Sequence, residues 1–122
     1  MKNESTGLIR IVKAAGFSLK GLSAAWKNEA AFRQEVIGVI PFIILSFFLD
    51  VTSIERILLV GVLVLVIIVE LLNSAVECAI DRIGPEFHVL SGRAKDIGSA
   101  AVLLTIILAV FTWVSVFWPR WF

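Results

Sequence analysis

Glu70-Leu71-Leu72-Asn73-Ser74-Ala75-Val76-Glu77-Cys78-Ala79-Ile80-Asp81 follows directly on Ile57 to Val69, a run that is apolar throughout apart from Gly61. At about 100° per residue, positions 70, 73, 74, 77 and 81 fall within roughly a third of a helix circumference. The rest of that circumference is Leu, Val, Ile, Ala and the single cysteine, Cys78. A carboxylate inside a hydrophobic span is costly, so it marks a group that faces a protein interior or a wet cavity and does something there. The competing reading is a polar seam that holds helices together, a task for which Asn and Ser usually suffice without acids.

Working outward, two further apolar stretches appear. Val36 to Leu49 is interrupted only by Gly38, Pro41 and Ser46, and Ile97 to Trp118 carries no charge. Across the whole chain 59% of residues are hydrophobic and 17% charged, against about 45–50% and 25% in ordinary soluble domains. A bilayer core of about 30 Å needs about 20 such residues. The second and third stretches suffice alone, and the first needs Ala30, Ala31 and Phe32 or a locally thinned bilayer. The expectation is an all-α membrane protein of one domain over residues 1–122, with transmembrane helices at about 30–50, 55–80 and 96–118.

Lys2, Arg10, Lys13, Lys20, Lys27 and Arg33 precede the first span, and Arg82, Arg93 and Lys95 lie between the second and third. The opposite side has only Arg56 and Arg120. By the positive-inside rule the N-terminus is cytoplasmic and the C-terminus lies across the membrane, with Trp118 and Trp121 as interfacial anchors. No cleavable signal pattern precedes the first span, which is expected to be retained. Before it, Leu8, Val12, Ala15, Leu19, Leu22 and Trp26 line one helical face while Lys13, Lys20 and Lys27 recur on another. That pattern predicts an amphipathic helix at about 5–27 lying in the membrane interface. Thr52 or Ser53 can cap the second span, and Gly84-Pro85 marks the cytoplasmic turn after it.

At 1.5 Å per residue Glu70 lies roughly 20 Å along the helix from Ile57, with Glu77 about 10 Å further. Glu70 thus sits near the acyl–headgroup boundary, while Glu77 and Asp81 approach cytoplasmic water. Glu29, Glu35, His88, Lys95 and Asp96 share that side. Carboxylates with one histidine and no cysteine pair suit a hard cation such as Mg²⁺. Two carboxylates and a lysine are the minimal kit for holding a metal–nucleotide phosphate chain. Each part has a plainer role: Glu29 and Arg33 are spaced as a surface i,i+4 pair, Lys95 as a positive-inside anchor, His88 as a turn residue. Gly16 to Ser23 has the glycine spacing of a Walker loop but places Leu22 where the lysine belongs, and no strand precedes it. A small ion-conducting protein would need acidic residues continuing across the membrane. Only Ser46, Thr105, Thr112 and Ser115 are polar in the outer halves of the flanking spans.

Several segments together resemble the prokaryotic diacylglycerol kinase family of the Gram-negative type. They are Arg10-Ile-Val-Lys13-Ala14-Ala15, Gly21-Leu-Ser-Ala-Ala-Trp26, Asn28 to Glu35, Glu70 to Glu77, Asp81-Arg-Ile-Gly84 and Leu90 to Ala101. The resemblance implies phosphoryl transfer from MgATP to the hydroxyl of 1,2-diacylglycerol, giving phosphatidic acid, by a homotrimer in a bacterial inner membrane with sites between subunits. It implies Glu70 as catalytic base and Glu29 and Glu77 as metal ligands that also meet the ATP phosphates. Arg10, Phe17, Glu86, Phe87, His88, Lys95 and Asp96 match nucleotide-binding positions. Arg10, Ala14, Ala15, Asn73, Ser99 and Trp113 match lipid-substrate positions. Phe17 stands where a tyrosine is common in the family and keeps a ring face for stacking without the hydroxyl. Phe48 replaces a familiar tryptophan. An undecaprenol kinase of the same fold is the alternative acceptor reading, and a nucleic-acid partner is not expected. Self-association has a physical reason too: three consecutive helices cannot surround the carboxylates of the middle one.

Overall fold

A computed structural model describes residues 6–86 and 88–121 as four α-helices joined by short links. They are α1 (Gly7–Asn28), α2 (Ala30–Ser46), α3 (Ser53–Ile83) and α4 (Val89–Trp121). The described residues contain no strand. α3 is the central element, packed along α4 on one side and α2 on another. The buried core is made by Val39 of α2, Leu63 and Val66 of α3 and Ala109 of α4, with Ile43, Val62, Ile67 and Trp113 packed around it.

α1 is almost wholly exposed, with Ala25 its one buried residue. Its predicted apolar face (Leu8, Val12, Leu19, Leu22, Trp26) is exposed, most at Leu8 and least at Leu22 and Trp26. One residue separates α1 from α2. Glu29 is extended (φ −115°, ψ 103°), which turns the chain sharply although its N–H still reaches Ala25 O at 2.9 Å. Arg33 does not pair with Glu29; its guanidinium donates to Trp26 O at 2.7 Å and so caps the end of α1.

α2 continues through Pro41, whose missing N–H removes one helical bond. Its end is tied down by Arg56, which donates from Nε to Ser46 O at 3.0 Å and from Nη2 to Leu49 O at 3.1 Å. With 17 residues, α2 runs about 25 Å, short of a full span by itself. α3 and α4 are both long and apolar enough to cross a membrane.

α3 begins in a capping box: Glu55 N–H donates to Thr52 Oγ1 at 3.2 Å and Thr52 N–H to Glu55 Oε1 at 2.9 Å. It ends at Gly84, whose φ of 141° a side chain would resist, just before Pro85. Across the bundle, Arg120 makes two bonds to Glu55, at 2.7 and 3.1 Å, and ties the far ends of α3 and α4 together. α4 starts at Val89, ahead of the expected 96, so Lys95 and Asp96 lie on a helix and not in a loop. Much of the outer surface is large and apolar, Phe48 being 82% exposed. Such a surface needs lipid or protein against it.

Thr52→Ala removes the side-chain half of the capping box and is expected to cost about 1 kcal/mol. The measurement is the thermal midpoint of the detergent-solubilised protein; an unshifted midpoint would show that Glu55 and Arg120 hold the end of α3 without the cap.

Candidate active site

Along α3 the polar stripe passes from buried to open within about 16 Å. Glu70 is 3% exposed, Asn73 and Ser74 are buried, Glu77 is half-buried and Asp81 is exposed. A helix periodicity that keeps one face toward α2 and α4 forces this gradient, because the inner end of the stripe is enclosed by the bundle and the outer end extends past it.

The deepest carboxyl is held from its own helix and from α2. Ser74 Oγ donates to Glu70 Oε1 at 3.4 Å. From α2 the Glu35 side chain closes on the same carboxyl, and Glu35 Oε2 is itself buried without a hydrogen-bond partner. Glu29, placed by the break between α1 and α2, points at α3, where Cys78 Sγ donates to Glu29 Oε1 at 3.5 Å. That contact brings Glu29 beside the residue following Glu77. Between α1 and α3 lies a groove of about 530 Å³ whose lining includes Ser18, Gly21, Asn28, Glu29, Ser74 and Cys78. Glycine, serine and alanine make it by lacking bulk.

On the opposite side of the stripe, α3 meets α4. Asn73 Nδ2 donates to Glu77 Oε1 at 3.5 Å. One turn further, Lys95 Nζ pairs with Asp81 Oδ1 at 2.9 Å. The Asp81 carboxylate beside it raises the Lys95 pKa above the ordinary lysine value. Among the described residues no three His, Cys, Asp or Glu side chains converge into a metal cage. The two-carboxylate set of Glu29 and Glu77 fits Mg²⁺ all the same, because that ion usually takes one or two carboxylates and leaves its other positions to water and substrate phosphate.

Glu29, Glu70, Asn73, Glu77 and Lys95 thus lie at one end of the bundle. The other expected residues do not join them within one chain. Arg10, Ala14, Ala15 and Phe17 are exposed on α1, the Lys20 ammonium lying 5.9 Å from the centre of the Phe17 ring. Asp96 and Ser99 are exposed on α4, and Glu86 and His88 in the turn before it. His88 Nδ1 accepts the Leu90 N–H at 3.0 Å, a local role in starting α4. Phe87 lies outside the described residues, as does the side chain of Trp121. Trp113 is in the far half of the bundle, where its Nε1 donates to Leu59 O at 3.2 Å and its ring meets Phe42 edge-on at 5.5 Å.

A reading of the sequence puts Glu35 on the side of the stripe but not at Glu70, and it passes over Gly98. Glu35 looks like one more acid before a span, and only the turn at Glu29 brings it to Glu70. Gly98 looks like any small residue in a span, yet a methyl group there would overlap Asn73 Oδ1.

Comparison with known proteins points to one family. The model of the prokaryotic diacylglycerol kinase family matches residues 16–117. The chain is 58% identical over 120 residues to the diacylglycerol kinase of Escherichia coli (strain K12), covering 98% of each. It is 48% identical over 110 residues to that of Haemophilus influenzae, covering 90% of this chain and 93% of the relative. With that of Pseudomonas aeruginosa it shares 48% over 111 residues, covering 91% and 90%. An all-helical membrane kinase is the class that fold and site define. Within that class, the chain belongs to the prokaryotic diacylglycerol kinase family.

Asp81→Asn removes the charge that holds the Lys95 proton, so Lys95 is expected to deprotonate at lower pH. Reductive methylation at mildly alkaline pH, read by mass spectrometry, should then modify Lys95 faster relative to Lys13 and Lys20 in the same sample. An unchanged ratio would mean that Asp81 does not hold Lys95 in solution.

Proposed function

We propose that the protein transfers the γ-phosphate of MgATP to the hydroxyl of 1,2-diacylglycerol at the cytoplasmic end of α3, with Glu70 as the base. The observation that carries this is the placement of a buried carboxyl at the inner end of a polar stripe in an apolar bundle, within a family of diacylglycerol kinases. A lipid hydroxyl held at the headgroup boundary reaches such a group from the bilayer, while a nucleotide reaches Glu77 and Lys95 from the cytosol.

The lipid hydroxyl is a poor nucleophile until a group within hydrogen-bond reach takes its proton. Glu70 is positioned for that by Ser74, whose hydroxyl donates to one carboxylate oxygen, with the Glu35 carboxyl beside it. As the hydroxyl oxygen bonds to the γ-phosphorus, its proton passes to Glu70 and the bond to the leaving ADP breaks. Glu29 and Glu77 would hold the Mg²⁺ whose charge neutralises the phosphate oxygens during transfer. Lys95, released from Asp81, would add a positive charge to the same phosphates. Asn73 and Ser99 would border the lipid headgroup, and Phe17, Arg10, Asp96 and the turn 86–88 the nucleotide.

The remaining parts of the reading follow from the surface. With the N-terminus cytoplasmic and the C-terminus periplasmic, α2 completes three spans of the inner membrane and α1 lies on its cytoplasmic face, Lys13, Lys20 and Lys27 toward the headgroups. A homotrimer would cover the exposed apolar faces and bring α1 residues of one chain toward the carboxylates of the next. The relatives named above are all diacylglycerol kinases, which favours diacylglycerol over undecaprenol as acceptor.

The direct test is transfer of radiolabelled γ-phosphate from ATP in mixed micelles holding diacylglycerol and undecaprenol together, with label expected in phosphatidic acid. Glu70→Gln should assemble normally and lose at least about a hundred-fold of this activity, as loss of a general base does. Wild-type turnover in an assembled Glu70→Gln protein would remove Glu70 from that role.

Glu29→Ala and Glu77→Ala are expected to raise the Mg²⁺ and ATP concentrations needed for half-maximal rate and to leave the diacylglycerol requirement unchanged. Unaltered Mg²⁺ and ATP titrations in both would show that neither is a ligand. If sites form between subunits, inactive Glu70→Gln and Glu29→Ala chains should regain partial activity once exchanged into mixed trimers. A mixture that exchanges chains and stays inactive would place each site within one chain.

A further inference from the structure

We infer that Gly98 is a positioning residue for phosphoryl transfer: by leaving room for the Asn73 amide, it keeps that amide on Glu77 and so orients one of the two carboxylates assigned to the metal–nucleotide. The inference rests on the reading of Glu77 as a metal ligand.

Three observations meet at this point of the α3–α4 seam. Asn73 is 9% exposed, its Nδ2 donates to Glu77 Oε1 at 3.5 Å, and its Oδ1 is buried with no hydrogen-bond partner. The backbone of α4 at Gly98 occupies the other side of the amide. A methyl group added to Gly98 would overlap Asn73 Oδ1 and stand 3.2 Å from its Cγ. At the chain's other seven glycines an added methyl group would meet nothing within 4 Å. The close approach is therefore particular to this contact.

An asparagine that only joins helices uses both ends of its amide, since a buried amide oxygen without a partner is unfavourable. Here the oxygen is left unpaired and the donor end faces a carboxylate. Spending one end of the amide in this way is the pattern of an outer group that aims a ligand, as the partners of metal-binding side chains do. Lys95, one turn before Gly98, is held against Asp81, one turn after Glu77. The seam thus fixes the rotation of α4 on α3 at a second point.

Gly98→Ala changes that wall and little else. The obstruction is the far end of a flexible side chain, so the overlap is relieved by rotating Asn73 and not by parting the helices. Alanine also favours the helix over glycine, which preserves folding. Rotation carries Nδ2 off Glu77 and frees that carboxylate.

The test uses the full-length protein in detergent with ATP present and Mn²⁺ as the probe, free Mn²⁺ being read by electron paramagnetic resonance. Gly98→Ala is expected to weaken Mn²⁺ binding by about ten- to a hundred-fold, the usual effect of losing an outer partner of a metal ligand. The apparent KM for MgATP should rise with it. Asn73→Ala should weaken Mn²⁺ binding to the same extent, and adding Gly98→Ala to it should change nothing more, because the two act through one contact. The double variant has no overlap to relieve, so it keeps the comparison available if Gly98→Ala alone assembles poorly. Wild-type Mn²⁺ affinity in Asn73→Ala, or a further loss on combining the two, overturns the proposal even where Glu77→Ala weakens binding. Unchanged affinity in Glu77→Ala removes the metal-ligand reading itself, and the role of Gly98 with it.

Discussion

A carboxylate placed in hydrocarbon must be enclosed by protein or reach water, and Glu70 can do neither alone. Its position at the inner end of α3 therefore governs the arrangement around it. α3 has to sit between α2 and α4, and its polar stripe has to run toward the end of the bundle where the helix leaves the membrane. Ser74 and Glu35 are there because a buried carboxyl needs polar neighbours. The gradient from buried Glu70 to exposed Asp81 then converts one helix face into a path from the apolar bundle to the water at its end.

The same requirement explains why the chain bends at Glu29. Were α1 and α2 one continuous helix, Glu29 and Glu35 could not both point squarely at α3, since six residues set them about 120° apart around a helix. One extended residue between the helices changes the phase. Glu29 reaches Cys78 from the joint, and Glu35 reaches Glu70 from the first turns of α2. Arg33 stabilises the break by donating to the Trp26 carbonyl in the last turn of α1.

The helices and the carboxylate stripe were legible because each is written in a local period: apolar runs for α3 and α4, a 100° polar stripe, Thr52 and Glu55 three residues apart at a helix start. Their partners were not. Glu35 meets Glu70 only through the angle of the bend, and Gly98 matters only because Asn73 lies across from it; both depend on contacts between helices that no single segment encodes. α4 extends back to Val89, beyond the apolar run that marks its span, and Lys95 on Asp81 ties that extension to α3.

What one chain leaves unfinished is informative about what completes it. From Arg10 to Glu29 is about 28 Å along α1, farther than a single nucleotide reaches, so two residues matched to the same nucleotide cannot both touch it from one straight helix. Either a second chain supplies one of them or α1 changes its path. The uncovered apolar side of α1 and the exposed faces of α3 and α4 favour the first, because chains packed side by side would bury those faces while bringing an exposed α1 beside a neighbour's Glu77 and Lys95. On this reading the break at Glu29 has a second consequence: it frees α1 to leave its own bundle, so that its contacts to the nucleotide would come from a chain other than the one that carries Glu70 and Glu77.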